Sequence, residues 1–486
     1  DFDMGLQFGS AVDIAEGVRS GELDPIEVVE EFIERIEERN DATNAYVTVI
    51  EDEARDRARE IRRQAEEGDL DADDLPLAGV PLAVKDLSES KEGVRHTMGL
   101  EPLSENVADE TTVTVERLED AGAVVVGTTN TPELGHAVRT DNMLQGPTST
   151  PFDTERNSGG SSGGSAAALA DGLCAIATGS DVGGSLRNPA SCCGIVSVKP
   201  THGVVPRGNP VNGFRGHTPV GVNGPMARDT ESLAAMFDVI AGKERSDPLS
   251  VPKTESYSDA VADAPDASEL GIAYSPDLDV FSVAPEVREP IEDMLSELED
   301  AGATVEEVSL DIPDFGALTH AYSLQVTTFF ATAVKELNEE LGIDLLGDHA
   351  GELPNDLKTL VSMGETNDIM DYTEADFVRT DLYHEIQDIV SEYDALVCPT
   401  LATPPLTHDE PMPSEIDGEP TNGLPTSWML SWIFNMTGHP VVNVPAGTTD
   451  GLPVGAQIVG ETHTEPRLLG VARRIEEKKG WEYPGE

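Results

Sequence analysis

Three segments of this sequence carry side chains suited to nucleophilic catalysis. The runs GGSSGG at 159–164 and GGS at 183–185 set serine hydroxyls among glycines, and GVPLAVKD at 79–86 ends an apolar run with Lys85. Glycines permit positive φ and a close approach of the backbone, so such loops can direct several N–H groups at one developing oxyanion. These residue types favour attack by an activated serine on a carbonyl group.

Lys85 is the residue of this set that would remove the serine proton. The chain has only nine lysines, and this one ends an apolar strand. Burial disfavours the ammonium form and depresses its pKa, and a neutral amine can replace histidine as the base of a serine hydrolase. A structural lysine paired with Asp86 is the alternative. Lys199 shows the same ambiguity and is assigned a structural role. Three histidines remain alternative bases: His202, His439 and His463.

The glycine-serine runs allow other interpretations. A flexible linker has this composition, but both runs lie between apolar segments. Phosphate binding is disfavoured because neither GxxxxGK[ST] nor a strand followed by GxGxxG is present. The segment 159–163 matches GxSxG, which would make Ser161 the nucleophile of a strand-turn-helix elbow, yet residues 151–158 are polar and are not predicted to form a strand.

Hydrophobic periodicity predicts alternating helices and strands around these motifs, which is typical of a layered α/β fold. Asp24-Pro25 is typical of a helix start. Loops are predicted at 244–268 and 402–426. The predicted helices are 50–66, 113–122, 166–173 and 285–300, and the predicted strands are 78–86, 123–130, 174–178, 195–198, 270–275, 303–309, 394–398, 440–444 and 454–459, the last two forming a hairpin.

Composition restricts the partners and the environment. The chain has 486 residues, and 31 basic against 92 acidic residues give a net charge of −61. That charge disfavours direct binding of nucleic acid or of an anionic membrane. Because molar salt shortens the screening length to about 3 Å, we interpret the charge as adaptation to a high-salt cytoplasm, as in a halophile.

Cysteine usage and the absence of targeting signals complete this interpretation. The four cysteines, Cys174, Cys192, Cys193 and Cys398, form neither a disulfide framework nor a CxxC metal motif, and no HExxH is present. We therefore expect no metal and no cofactor. A basic leader and an apolar run of about 18 residues are also missing, so a soluble, cytoplasmic protein is expected.

These motifs together resemble the amidase signature family. The resemblance rests on Lys85 in GVPLAVKD, on GGSSGG, and on GSDVGGSLRNPASCCGIVSVKPTHG at 179–203. It continues through GTTNTPELG at 127–135 and, near the end of the chain, through DALVCPT, NMTGHPVVNVPAG and GLPVGAQIVG. It covers nearly the whole sequence.

The resemblance implies a fold, a mechanism and a set of site residues. The implied fold is one α/β/α domain, residues 1–486, with a large mixed sheet. Within it lie N-terminal helices at 1–70, a catalytic core at 78–205 and a helical substrate-lid candidate at 310–390. Ser185 is the implied acyl nucleophile, Ser161 in a cis peptide the bridging hydroxyl and Lys85 the base. The implied oxyanion donors are the backbone N–H groups of Val182, Gly183, Gly184 and Ser185.

The resemblance allows two functions within this family. A stand-alone amidase would hydrolyse a small-molecule amide to an acid and ammonia or an amine. The alternative is the ammonia-generating A subunit of an Asp/Glu-tRNA amidotransferase. Such subunits usually carry an acidic residue about two turns before the position that matches Asn435. Here that stretch reads TSWMLSW, which favours the stand-alone enzyme.

The sequence departs from the family pattern at two positions near the serine motifs. Val182 and Ser158 stand where many relatives have Thr and Pro, and both changes are tolerable because the oxyanion contacts involve the backbone. Trp428, Trp432 and Phe434 would form either an aromatic acyl pocket or part of the core. A homodimer is compatible with the sequence, which does not determine the oligomeric state.

Overall fold

Helices and strands alternate along the chain in the computed structural model, which describes residues 5–68, 75–208, 211–214, 220–312, 314–476 and 482–484. Its helices are α1 Ala11–Ser20, α2 Pro25–Thr43, α3 Glu51–Glu67, α4 Val113–Asp120, α5 Gly163–Ala170, α6 Arg187–Cys193, α7 Thr230–Ile240, α8 Tyr257–Ala262, α9 Pro285–Asp300, α10 Phe315–Leu341, α11 Asn355–Glu365, α12 Ile369–Glu392, α13 Trp432–Thr437 and α14 Glu465–Glu476. Its strands are β1 Tyr46–Val49, β2 Pro81–Lys85, β3 Val124–Thr129, β4 Ser149–Thr150, β5 Asp153–Asn157, β6 Ile176–Asp181, β7 Val196–Lys199, β8 Val222–Ala227, β9 Gly271–Tyr274, β10 Thr304–Glu307, β11 Ala395–Pro399, β12 Glu415–Ile416, β13 Glu419–Pro420, β14 Val441–Thr449 and β15 Leu452–Val459.

Eleven strands form one mixed sheet in the order β1-β3-β2-β6-β8-β7-β14-β15-β11-β9-β10. Strand β2 pairs in parallel with both β3 and β6, whereas β8, β7, β14 and β15 pair antiparallel with their neighbours. Because β2 and β6 are adjacent and parallel, both strands end at the same edge of the sheet. The loops that follow Lys85 and Asp181 therefore meet there.

The local sequence explains how these strands and their helices form. All residues of β2, β3 and β6 are buried, as expected for strands covered by helices on both faces. Apart from Leu169, helix α5 consists of small residues, and all of its residues are buried, so its backbone lies close to the sheet. Helix α2 begins at Pro25 as predicted, and the Asp24 carboxylate accepts the N–H of Ile26 at 3.0 Å.

Most of the predicted elements are confirmed to within about three residues. The hairpin forms with longer strands, because Asp450 and Gly451 both adopt the positive φ that a type I′ turn requires. The layered α/β prediction, with a large mixed sheet, is also confirmed. Of the predicted N-terminal segment 1–70, residues 1–4 and 69–70 lie outside the described part of the chain.

Three local predictions are wrong. Residues 153–157 do form a strand, β5, which pairs with β4 in a two-stranded ribbon apart from the main sheet. Its side chains are mostly solvent-facing, so it lacks the apolar alternation by which a strand is recognised. The predicted loops 244–268 and 402–426 contain the short helix α8 and the ribbon β12-β13.

The long helices α10, α11 and α12 occupy most of the segment 310–390. A small hydrophobic core, separate from the main one, joins α10 and α11 to loops between the lysine and serine motifs, and it includes Leu100, Leu134, Phe330, Leu337 and Leu357. None of the helices in the described ranges is long and apolar enough to cross a membrane.

Candidate active site

Lys85 ends β2 with its amine among serine hydroxyls. Its Nζ lies 2.8 Å from Ser161 Oγ, 2.9 Å from Ser162 Oγ and 3.0 Å from Ser180 Oγ. The residue is 1% exposed, and burial lowers the pKa of Lys85 to about 7. Much of the amine is therefore neutral near pH 7, which is the state a general base requires.

Ser162 and Ser180 were not predicted to contact the lysine. The Ser162 hydroxyl lies 3.3 Å from the Ser180 carbonyl oxygen, and the Thr178 hydroxyl accepts the backbone N–H of Lys85 at 2.9 Å. Three hydroxyls satisfy the three donors of an ammonium, and each can also donate to a neutral amine. The site can therefore hold the lysine in both protonation states. The sequence signal was the second serine of the doublet and the GSD that ends β6.

Ser161 lies in a tightly packed turn before α5. The peptide bond between Gly160 and Ser161 is cis, as the resemblance implied. A Cβ atom at Gly160 would lie 2.7 Å from the carbonyl carbon of Arg139, so glycine is required there. Residues 157–181 are all buried, which contradicts the flexible-linker interpretation.

Ser185 occupies the turn between β6 and α6. Its carbonyl accepts the N–H of Ser162 at 3.2 Å, so the turn is joined directly to the serine doublet. The residue is 9% exposed, against 2% for Ser161 and 1% for Lys85. Of the three residues implied as a triad, Ser185 is thus the most exposed to a substrate, and Ser180, which also contacts Lys85, is equally exposed.

A buried ion pair supports the Ser185 turn. Arg187 donates from Nε and Nη2 to the two carboxylate oxygens of Asp181 at 3.1 and 3.0 Å, and both side chains are fully buried. Asp181 also accepts the backbone N–H of Leu186 at 3.0 Å. Burial alone would raise the pKa of Asp181, but Arg187 and the amide of Asn435 outweigh it and lower the pKa to about 2. The carboxylate therefore stays ionised and fixes both ends of the turn.

Sequence reasoning missed this pair, although a signal was present. Asp181 and Arg187 stand six residues apart in a stretch of small, uncharged residues. Two further side chains reinforce the turn: Asn435 accepts from Arg187 at 2.7 Å, and the Ser431 hydroxyl donates to the Gly183 carbonyl at 2.9 Å. Both come from the segment around α13, far along the chain, so their roles depend on the tertiary fold.

The backbone of the Ser185 turn is only partly free to bind an oxyanion. The N–H of Gly184 donates to Asp181 at 2.8 Å, which is at odds with the oxyanion role implied for Gly184. In the described part of the chain, the N–H groups of Val182, Gly183 and Ser185 donate no hydrogen bond. These three groups are the remaining candidates.

The alternative bases lie elsewhere. Lys199 is buried at the end of β7, and its Nζ donates to the Pro200 carbonyl at 3.1 Å. His439 is held by the hydroxyl of Thr437 and by Gln387. Among the described residues, neither these side chains nor those of His202 and His463 hydrogen-bond to the serine cluster, and no group of acidic, His or Cys side chains is arranged to hold a metal ion.

The aromatic residues have two different environments. Trp432 and Phe434 are completely buried, which favours the core interpretation for them. Trp428 lines a small pocket of about 20 Å³ together with Gly159 and Cys192. Tyr322 of α10 packs on Trp432 with ring centroids 5.0 Å apart, and its hydroxyl lies so close to Gly183 that a Cβ there would collide with it. Helix α10 thus covers the Ser185 turn.

Comparisons with known proteins agree with this geometry. The family model described as Amidase matches residues 27–469. The chain is 34% identical to an acylamidase of Rhodococcus erythropolis over 480 residues, covering 99% of this chain and 97% of the relative. It is 32% identical to the glutamyl-tRNA(Gln) amidotransferase A subunit of Methanosarcina acetivorans, covering 93% of each.

A solved structure gives the same result. A bacterial aryl acylamidase of the amidase signature enzymes superimposes with a TM-score of 0.91 at 31% identity, covering 98% of this chain and 97% of that chain. The chain therefore belongs to the amidase signature family.

Proposed function

We propose that the protein is an amidase that hydrolyses a carboxylic acid amide through an acyl-enzyme intermediate on Ser185. The observation that carries this proposal is the buried Lys85 amine at 2.8 Å from the Ser161 hydroxyl, next to the turn that bears Ser185. Full-length similarity to an acylamidase supports an amidohydrolase, and the amide substrate is the proposed small-molecule partner.

In each half of the proposed reaction, one proton passes along the serine relay to Lys85 and then returns from it. Neutral Lys85 takes a proton from Ser161 as Ser161 takes the proton of Ser185, whose oxygen attacks the carbonyl carbon. The free N–H groups of Val182, Gly183 and Ser185 stabilise the oxyanion. The proton then returns to the leaving nitrogen as the C–N bond breaks. Water attacks the ester by the same relay, which releases the acid and restores the serine.

Labelling with a fluorophosphonate tests this proposal directly. The Ser185 oxygen would displace fluoride, so the intact mass should rise by one phosphonyl group, and peptide mapping should locate it at Ser185. Pretreated enzyme should lose its amidase activity in proportion to labelling. An unlabelled, fully folded protein would contradict the proposal.

The substrate class is proposed from the relatives and from the segment 426–432. Amides with an apolar acyl or aryl group agree better than glutamine does with the similarity to an acylamidase and to an aryl acylamidase. The segment TSWMLSW carries no acidic side chain to hold the amino group of glutamine. A screen of aliphatic, aryl and amino-acid amides in molar salt should show turnover without glutaminase activity. Glutamine hydrolysis with co-purifying subunits would instead support the amidotransferase alternative.

Replacement of Ser161 by alanine should lower kcat/KM by at least about 10², the typical effect of losing general acid–base catalysis. The variant keeps Lys85 and Ser185 but removes the hydroxyl that passes the proton between them. Ser165→Ala is the matched control, since that buried hydroxyl donates to the Thr178 carbonyl and does not contact Lys85. Equal rates for Ser161→Ala and wild type would exclude the relay.

We further propose that the segment 310–390 acts as a substrate lid. Its helix α10 brings Tyr322 to the Ser185 turn. In α11, the Asp356 carboxylate oxygen Oδ2 lies 3.1 Å from His136 Nε2. The preceding residue, Gly135, lies close to the serine cluster, since a Cβ atom there would be 3.1 Å from Ser161 Oγ. Substrate selection at this site would therefore depend on residues of α10 and α11.

The proposed environment is a high-salt cytoplasm. Helix α9 illustrates the surface, with seven acidic residues and one basic residue between Pro285 and Asp300. Like charges this close repel strongly at low ionic strength and are screened at about 1 M salt.

The melting temperature should therefore rise steadily as KCl increases from dilute buffer to about 1 M or above. Differential scanning calorimetry at constant pH would measure it. A salt-insensitive melting temperature would refute the high-salt interpretation while leaving the amidase proposal intact.

A further inference from the structure

Glu89 is a buried carboxyl group that the proposed relay does not use. It follows Lys85 by four residues, in the turn after β2, and is 2% exposed. In the described part of the chain, neither of its carboxyl oxygens forms a hydrogen bond of normal geometry. The polar groups that face it are the hydroxyls of Thr114 and Thr178 and the amine of Lys85. A buried, unpartnered acid beside the candidate base requires an explanation.

The surroundings connect Glu89 to the base by two routes. Through the backbone, the Thr178 hydroxyl beside Glu89 also accepts the N–H of Lys85 at 2.9 Å. Through charge, a carboxylate at Glu89 favours the ammonium form of Lys85. Asp181 is the other ionisable group that acts on the Lys85 amine, and its charge is fixed by Arg187. Glu89 is therefore the variable acidic neighbour of Lys85.

The two groups also titrate in the same range. Burial raises the pKa of Glu89 to about 7, and burial lowers the pKa of Lys85 to about 7. Each charge favours the other, so the charge of Glu89 shifts the proton affinity of the Lys85 amine. The two buried groups are most stable when their net charge is zero, because an uncompensated buried charge raises the free energy of the folded protein.

We propose that Glu89 is a positioning residue that, through its buried carboxyl group, controls whether the Lys85 amine holds a proton between catalytic steps. When Lys85 receives the serine proton, a carboxylate at Glu89 stabilises the new ammonium. When the proton has gone to the leaving group, the neutral amine returns. This role depends on the proposed function of Lys85, and Glu89 itself contacts no reacting atom.

Glu89→Gln tests this by removing the charge at nearly constant volume. The readout is the pH dependence of the rate at which a fluorophosphonate acylates Ser185, which requires no knowledge of the natural substrate. Without the carboxylate, the ammonium is less favoured, so the midpoint of the acid limb should move down by about half a pH unit or more. At one pH unit below the wild-type midpoint, each rate can be expressed as a fraction of that protein's own plateau rate. This fraction should be about threefold higher for the variant than for wild type.

The controls separate this role from a structural one. Glu92→Gln removes an exposed acid three residues further along the chain and should leave the midpoint unchanged. Glu89→Asp keeps the charge and should restore much of the wild-type midpoint. Glu89→Met is a second neutral variant, to be used if circular dichroism shows that Glu89→Gln is unfolded.

The outcomes are distinguishable. A folded neutral variant with the wild-type midpoint would overturn the proposal for Glu89 and leave the amidase proposal standing. Failure of the fluorophosphonate to label wild-type Ser185 would overturn both.

Discussion

Replacement of Ser185 by alanine is expected to abolish amide hydrolysis, with kcat reduced by at least about 10⁴. The substitution removes the atom that would form the acyl-enzyme, and neither Ser161 nor Ser162 can replace it, because both lie deeper in the cluster against Lys85. Fluorophosphonate labelling should disappear together with turnover. Measurement of both quantities on one preparation would connect the nucleophile to the activity.

The fold should survive this change. The turn is held by Asp181 and Arg187 rather than by the Ser185 side chain, so circular dichroism and the melting temperature should stay close to wild type. Ser191→Ala is a matched control in α6, where the hydroxyl accepts the N–H of Gly455 at 3.0 Å and is not among the serine hydroxyls that contact the Lys85 amine. Residual turnover within tenfold of wild type in a folded Ser185→Ala variant would assign the nucleophile to another residue.

Replacement of Lys85 is expected to have the second largest effect. Lys85→Ala should lower kcat/KM by about 10³ or more, near the upper part of the range for general acid–base catalysis. Lys85→Met is the sharper variant, since it keeps an apolar side chain of similar length in the buried site and removes only the amine. Wild-type rates at neutral pH in either folded variant would show that the relay is wrong.

The pH profile gives an independent test of Lys85. In the proposed relay the neutral amine is the active form, and burial lowers the pKa of Lys85 to about 7. Wild-type kcat/KM should therefore fall as the pH decreases through about 7, and the residual activity of Lys85→Met should lack this limb. Lys199→Met is the matched control, because burial lowers the pKa of Lys199 to about 7 as well, yet its amine contacts the Pro200 carbonyl instead of a serine. The limb should persist in that variant.

The ion pair of Asp181 and Arg187 shows why the Ser185 turn can be rigid without strong secondary structure. Five donors converge on one carboxylate, from Gly184, Leu186, Asn435 and twice from Arg187. Breaking a buried pair by removing one partner costs several kcal/mol, because the other charge is left uncompensated. The turn is therefore held in one conformation, which the proposed oxyanion role of its N–H groups requires.

The relation between sequence and site differs from residue to residue. Lys85 was identified because a rare lysine at the end of an apolar strand predicts both burial and a lowered pKa, and the structure shows both. Ser180 and Glu89 gave weaker signals, because the contact of Ser180 with Lys85 depends on the pairing of β2 with β6 and the burial of Glu89 depends on the fold of the segment after β2. The strand β5 was missed because its exposed ribbon carries polar side chains.

The sequence by itself determined the alternation of helices and strands, the glycine positions of the two serine turns, the acidic surface and the types of side chain available for catalysis. These properties follow from local preferences and from composition, which each segment carries wherever it is placed. The tertiary structure alone decided which hydroxyls surround the Lys85 amine, which N–H groups of the Ser185 turn are already occupied, and which helix covers that turn. Such contacts join residues up to about 250 positions apart, as between Asp181 and Asn435, and only the order of strands in the sheet brings them together.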